Sequence, residues 1–290
     1  MSLQEALSLI KFPKEEKGHN CRIVIIDTGI NPDLPVEDAL NLTTEGIEDR
    51  ENHGSIIHGL IHSILPEAKI YFIKVPDPLP DYKLITALNE ALKWEPHAIN
   101  LSFSLDMPSD GSDPASLYAD HVSKKASVVI AAGNSGPRYM TVGSPAAGKE
   151  VIAVGGYLSK GYIWKKTSRG PTLDGRWKPN ILAPTGINFM GERQYGTSIS
   201  APFATVLAAL LMRECKSPFI TRRIMELTAF PVSLKYAKKR GKKKTAKQFR
   251  RLIEAIQIIS DPRNITGAGL IQVEDAILYL RYFLSLFSHS

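Results

Sequence analysis

Ile23-Val24-Ile25-Ile26-Asp27-Thr28-Gly29 is a run of four β-branched residues that stops at a carboxylate and a turn. Unbroken apolar character over so short a length marks a strand covered on both faces, the kind found in parallel sheets. Asp27 then falls at the strand's carboxyl end, the edge where open α/β sheets gather their working groups. Outward from this stretch the pattern repeats. Lys69 to Val75, Ala98 to Phe103 running on into Ser104, and Ser127 to Ala132 read as further strands. Between them apolar residues return at helical spacing: Leu60, Ile61 and Leu65 behind His53, then Leu84, Ala87, Leu88 and Ala91, then the segment Pro114 to Lys125. Strand and helix in alternation predict an α/β fold, a mostly parallel central sheet with helices on both faces in a three-layer sandwich.

The 290 residues suffice for a full core, and 43% hydrophobic with 22% charged content is ordinary for a globular protein. Two cysteines, Cys21 and Cys215, are too few for a disulfide framework and fit a reducing compartment. The first residues carry no signal-peptide pattern, and no apolar run reaches the roughly 20 residues of a bilayer span, so a cytoplasmic location without a membrane partner is expected. The net charge of +7 is local: ten Lys and Arg and no acid fall in Lys235 to Arg251, which leaves the rest of the chain net negative. Such a block reads as a solvated loop, or as a docking site for nucleic acid or another acidic partner.

Candidate reactive groups stand at the element edges. Tyr195-Gly196-Thr197-Ser198-Ile199-Ser200-Ala201-Pro202 runs into the apolar segment Phe203 to Met212. Small residues before a helical pattern set Ser198 at a helix N-terminus, where free backbone N–H groups steady a developing negative charge, although such a turn alone also reads as an ordinary N-cap. Pro202 reads as lying in that helix's first turn, where proline removes no helical bond. A serine nucleophile needs a base, and the base needs an orienting group. Among His53, His58 and His62, only His53 stands at a helix start beside the strand ends; the other two read as structural. Asn134, in Gly133-Asn134-Ser135-Gly136, sits on a bend at a strand end, where its amide can donate to an anion or simply suit the turn.

The order Asp27, His53, Asn134, Ser198 and the sequences around them resemble the subtilisin-like serine proteases, the subtilase family. The likeness rests on IVIIDTG, HGSIIHG, AINLSFS, VVIAAGNSG, EVIAVGG, SRGPTLDGRWKPNILAP, GTSISAP and GAGLIQVEDAI, and spans roughly Arg22 to Ile277. It implies a serine endopeptidase acting on peptide or protein substrates. Ser198 would be the nucleophile, His53 the general base and acid, Asp27 its orienter, and Asn134 with the Ser198 N–H the oxyanion hole. Aligning His53 with the family's His-Gly-Thr keeps Gly59 on its second glycine, and His58 then occupies a place held by a small residue. By the same resemblance Ser102, Phe103 and Ser104 would pair with an extended peptide. Ala131, Ala132 and Gly133 would wall the first specificity pocket, with Gly143 near its floor. Many members carry glycine at the position of Ser104, so a side chain there narrows the cleft. Arg138, beyond Gly136, reads as an exposed cation, or as one reaching the pocket mouth to favour an acidic residue.

The resemblance implies no organic cofactor and no catalytic metal; a structural calcium is common in the family, but no ligand-like carboxylate spacing locates one here. Asn180 replaces a frequent family aspartate. Residues 1–22 read as an N-terminal extension and 22–288 as the catalytic domain, with a basic insertion at about 231–262 and a helix at about Lys247 to Ile259. An extension of this length is too short for a folding-assisting propeptide domain, so the chain resembles the intracellular branch and is expected to need another restraint, such as a separate inhibitor or an activating protein. A selective processing or regulatory protease is the expected role. The contrasting expectation is a nucleic-acid-binding or scaffolding protein on the same fold, working through Lys235 to Arg251.

Overall fold

The computed structural model describes residues 1–232 and 261–286. The basic block Lys235 to Arg251, the helix expected at 247–259 and most of the 231–262 insertion lie outside the described residues. The strands are β1 (Arg22–Asp27), β2 (Asp38–Asn41), β3 (Lys69–Lys74), β4 (Ala98–Leu101), β5 (Ser127–Ala131), β6 (Ile152–Ser159), β7 (Tyr162–Ile163) and β8 (Ile181–Pro184). They form one sheet in the order β2-β3-β1-β4-β5-β6-β7, with β8 beside β6. Every pairing is parallel except the short β6–β7 return. This is an α/β fold with a mostly parallel central sheet. The chain passes from β1 to β3 on one side and then to β4 on the other, so the strand order reverses at β1 and opens a crevice at its carboxyl end.

The alternation of β1 side chains explains the layers. Ile23 and Ile25 point to one core, with Ile57, Leu60 and Ile61 of α2 (His53–Ile64); Val24 and Ile26 point to the other, with Leu84 and Leu88 of α3 (Asp81–Ala91). The first core also takes the long helix α5 (Thr197–Cys215) and the closing helix (Val273–Ser285), and the second takes α4 (Pro114–Val122). Each β1 isoleucine is fully buried and contributes on the order of 1.5–3 kcal/mol. Both faces are therefore apolar, which is why the strand shows no polar alternation.

α5 is apolar all round because it is enclosed. It is long and hydrophobic enough to cross a bilayer, but it packs on the sheet beneath α2, α6 (Pro218–Leu227) and the closing helix. The helix begins at Thr197, so Pro202 stands in its second turn, not its first as expected. Proline lacks the N–H that would bond four residues back, and the Ser198 carbonyl loses its helical partner. Ser102 supplies a substitute, its hydroxyl donating to Ser198 O at 3.0 Å.

The N-terminal residues are part of this body. α1 (Leu3–Leu9) opens with a capping box between Ser2 and Glu5, and Ala6 and Ile10 are buried in the first core. A hairpin of β9 (Ile187–Phe189) and β10 (Glu192–Gln194) lies beside it, with Ser2 bridged to Asn188.

Candidate active site

β1 delivers Asp27 to the crevice, and α2 begins above it. The helix is capped from a distance: Asn52 makes no cap bond, whereas Asp49 accepts from the Ser55 N–H at 2.8 Å and the Ser55 hydroxyl at 2.9 Å. Gly54 lets this turn settle on the sheet edge, since a Cβ there would strike the Gly29 carbonyl oxygen. His53 consequently meets Asp27, Nδ1 to Oδ1 at 2.8 Å. The same oxygen accepts from the Thr28 N–H at 2.8 Å, which fixes the carboxylate while it faces the ring. Asp27 is 1% exposed and the His53 side chain 33% exposed, so the imidazole reaches the cleft from an anchored base. Burial disfavours charge on His53, but the charge and hydrogen bond of Asp27 outweigh it, aided by Asp49 and Glu51, and its pKa lies above the ordinary histidine value.

His58 and His62 play another part. His58 is fully buried, pairs through Nε2 with Pro35 O at 2.7 Å and stacks on His62. Burial lowers its pKa against the pull of the Pro35 carbonyl, which leaves a neutral core ring.

Ser198 arrives from the opposite side. Gly196 precedes α5 with φ +138°, and its N–H and C=O are both held by the Thr185 hydroxyl, at 3.0 and 2.9 Å. A Cβ on Gly196 would lie 2.8 Å from Ser198 Oγ and 3.9 Å from Asn134 Nδ2, so hydroxyl and amide converge on one space. Thr197 orients that amide. Its N–H and hydroxyl donate to Asn134 Oδ1 at 3.0 and 2.9 Å, and its hydroxyl accepts from the Gly133 N–H at 3.1 Å. With Oδ1 occupied, Nδ2 faces the cleft beside the first turn of α5, where the Thr197 N–H is held by Asn134 and the Ile199 N–H donates to Gly196 O at 3.2 Å. Behind Ser198 runs a buried relay: Thr205 donates to Asn100 at 2.9 Å, Asn100 to Ser102 at 2.8 Å, and Ser102 to the Ser198 carbonyl.

Asp27, His53, Asn134 and Ser198 line one cleft of about 500 Å³, together with Ser102, Phe103, Ser104, Ala131 and Gly133. β4 ends at Leu101, short of the expected run into Ser104, where its pairing with β5 stops; Ser102 still faces α5, on the same side as Asn100, and donates to the Ser198 carbonyl. Two expected pocket residues stand elsewhere. Ala132 is fully buried in the second core, as strand alternation after Ala131 requires, and Gly143 lies beneath the Leu105 and Met107 carbonyls, outside the cleft lining. Arg138 is exposed and does not line the cleft. Thr197, Asn100, Thr205 and Asp49 carry no local signal of their positions; only the small-residue turn at 196–198 hints at Thr197.

Among the described residues no three or more His, Cys, Asp or Glu side chains gather as a metal site, and a structural calcium has no carboxylate cluster there. Asn180 instead ties elements together. Its Oδ1 accepts from the Ala153 N–H and from Lys178 Nζ, and its amide donates to Glu226 at 2.9 Å, where an aspartate would set two carboxylates face to face.

Comparisons with known proteins bear on the family and the fold. The family model Peptidase_S8, the Subtilase family, matches residues 18–239. The serine protease AprX of Bacillus subtilis (strain 168) is 26% identical over 321 residues, covering 90% of this chain and 66% of its own length. The subtilisin-like protease SBT6.1 of Arabidopsis thaliana is 29% identical over 233 residues, covering 69% of this chain and 22% of its own. The chain thus spans about two thirds of one curated relative and about a fifth of the other. In fold, the prenylagaramide maturation protease PagA superposes with a TM-score of 0.68 at 19% identity, over 96% of this chain and 98% of that one. The patellamide maturation protease PatA gives 0.67 at 21%, over 92% and 99%.

Proposed function

The chain belongs to the subtilase family, and on that premise we propose that it is a serine endopeptidase working through Ser198, His53 and Asp27. One observation carries the reading: the 2.8 Å Asp27–His53 bond stands in the same cleft as Ser198 and an Asn134 amide whose NH2 is turned outward. In the proposed reaction Ser198 Oγ attacks a peptide carbonyl as His53 takes its proton, forming a tetrahedral oxyanion. The Asn134 amide and the Ser198 N–H donate to that oxyanion. Collapse expels the amine, which leaves with the proton that His53 returns, and the acyl chain stays on Ser198. A water then attacks the ester with His53 again as base, and the acid product departs. Asp27 holds the imidazole tautomer and favours its cation, consistent with the raised affinity of His53 for a proton.

The proposal extends to a selective processing protease in the cytoplasm, restrained by a separate inhibitor or activated by a partner. Both cysteines are free, which suits that compartment. PagA and PatA are named as prenylagaramide and patellamide maturation proteases; for this chain the selective reading leans on the shape of its own cleft. The test is digestion of a mixed peptide library with mass-spectrometric reading of new termini. Internal cleavage by the wild type and none by Ser198→Ala is expected, while equal products from both would overturn the proposal.

A further inference from the structure

At the amino edge of the sheet, opposite the cleft, four chain segments meet around a groove of about 460 Å³. β1 begins there at Arg22, the turn before β4 brings Pro96 and His97, the turn before β5 brings Lys125, and α5 ends there with Met212 and Lys216. Backbone bonds fix this neighbourhood: the His97 N–H donates to Arg22 O at 2.8 Å and the Ser127 N–H to His97 O at 3.1 Å. Leu92, Pro96 and Met212 make the apolar side of the groove.

The polar side consists almost wholly of donors. The Arg22 N–H donates to His97 Nδ1 at 3.0 Å, so the neutral ring carries its proton on Nε2. Burial, then the charges of Arg22, Arg213 and Lys216, bring the His97 pKa down to about 4, so the field at the ring is a cationic one. Arg22 spends Nε on the Glu95 carbonyl at 2.7 Å and stands 3.7 Å from the Glu95 carboxylate, which is 84% exposed. The Lys125 and Lys216 ammonium groups have no hydrogen-bond or ion-pair partner among the described residues. Arg213, by contrast, is taken up by Glu16. The groove lining therefore sets three cations against one carboxylate, a surplus of two positive charges. Helix dipoles account for a cation after α4 and another after α5. They do not account for both meeting Arg22 at a strand start.

We infer that this groove is a binding site for a phosphate monoester with an apolar body. A dianionic phosphate matches the surplus of charge, and its three terminal oxygens can accept from Arg22, His97 Nε2–H and the two lysines, where a carboxylate has fewer to offer. Leu92, Pro96 and Met212 cover the rest of the ligand, and the volume suits a small organic molecule. The site is remote from the chemistry. α5 runs 19 residues from Thr197 to Cys215, about 28 Å, so a ligand at its end touches neither Ser198 nor a substrate. The inference is thus independent of the endopeptidase reading.

Calorimetric titration of the full chain at low ionic strength with phenyl phosphate, inorganic phosphate and benzoate tests it. Phenyl phosphate should bind one to one and about tenfold tighter than either of the others, since inorganic phosphate lacks the apolar body and benzoate the second charge. Lys125→Ala and Lys216→Ala should each weaken it about two- to fivefold, as suits exposed cations, and Lys125→Glu combined with Lys216→Glu by at least about 50-fold. The double variant keeps the Lys235 to Arg251 block, so whatever it still binds measures that block and not the groove. Urea midpoints equal to that of the wild type show that the variants fold; if the double variant does not fold, the single alanines decide. Phenyl phosphate binding undiminished by the lysine substitutions overturns the inference, as does equal affinity for the three probes or no binding of phenyl phosphate by the wild type.

Discussion

Removing the Ser102 hydroxyl orphans two buried groups at once, and a second substitution should repair one of them. Asn100 is fully buried and its amide donates to Ser102 Oγ; Ser102 is 3% exposed and donates to the Ser198 carbonyl, which Pro202 deprives of its helical donor. In Ser102→Ala the Asn100 amide loses its acceptor and the Ser198 carbonyl loses its donor. Each unsatisfied buried group costs roughly 1–3 kcal/mol, so the variant should lose about 2–6 kcal/mol. For a chain of this size that is a fall in Tm of roughly 3–10 °C. Pro202→Ala restores an N–H four residues after Ser198, able to remake the helical bond. In the Ser102→Ala background it should recover about 1–2 kcal/mol, while in the wild type, where that carbonyl is already served, it should recover little. Urea unfolding of the four proteins measures the interaction directly. Strict additivity, with Pro202→Ala worth the same in both backgrounds, would refute the claim that Ser102 stands in for the missing proline donor.

Thr197→Val removes one of two donors holding Asn134 and leaves the Gly133 N–H without an acceptor. It should lower kcat by about 10- to 100-fold with little change in KM, whereas Thr197→Ser should restore the rate. The ceiling is Asn134→Ala, about 3 kcal/mol, a figure known from subtilisin, itself a member of this family; Thr197→Val added to Asn134→Ala should slow catalysis no further. The acid limb of kcat/KM should titrate above the ordinary histidine value, and Glu51→Gln should move it down. By linkage, the stability that His53 draws from Asp27 is complete below the unfolded histidine pKa and disappears as pH climbs through the higher folded one. Lys178 is fully buried against Val151 O and Asn180 Oδ1, and burial brings its pKa down from 10.5 to about 7. The unfolded chain binds that proton more tightly, so the stability of wild type relative to Lys178→Met should rise between pH 7 and 10.5, by at most about 1.4 kcal/mol per unit, as thermal melts across that range would report.

The sheet was legible because it is buried on both faces: uninterrupted runs such as Ile23 to Ile26 have few other readings at that length. The convergence of Asp27, His53, Asn134 and Ser198 on one cleft was legible from the family resemblance, each lying at an element boundary marked by Gly or a small residue. β2 was not, since its residues are exposed or half-buried and its sequence, DALN, carries no strand pattern. Pro202 was misplaced by a turn because the helix start depends on Gly196, whose φ of +138° is held by Thr185 from a distant strand end. Asn100 and Thr205 meet across 105 residues of chain, and no local window can contain such a pair. Ala132 shows the opposite case: the alternation past Ala131 was available, and the resemblance to a pocket wall overrode it. The bond from Ser135 to Asp106 is likewise a meeting of separate loops, visible only once β4 and β5 are side by side.

The account turns on Ser198 being a nucleophile activated by His53. Fluorophosphonate labelling of the purified chain, followed by mapping of the adduct in a peptide digest, tests this directly. A single adduct on the Ser198 peptide, absent in Ser198→Ala and reduced at least about 100-fold in His53→Ala, is the expected result. Labelling elsewhere, or labelling of Ser198 that persists unchanged in His53→Ala, would contradict it.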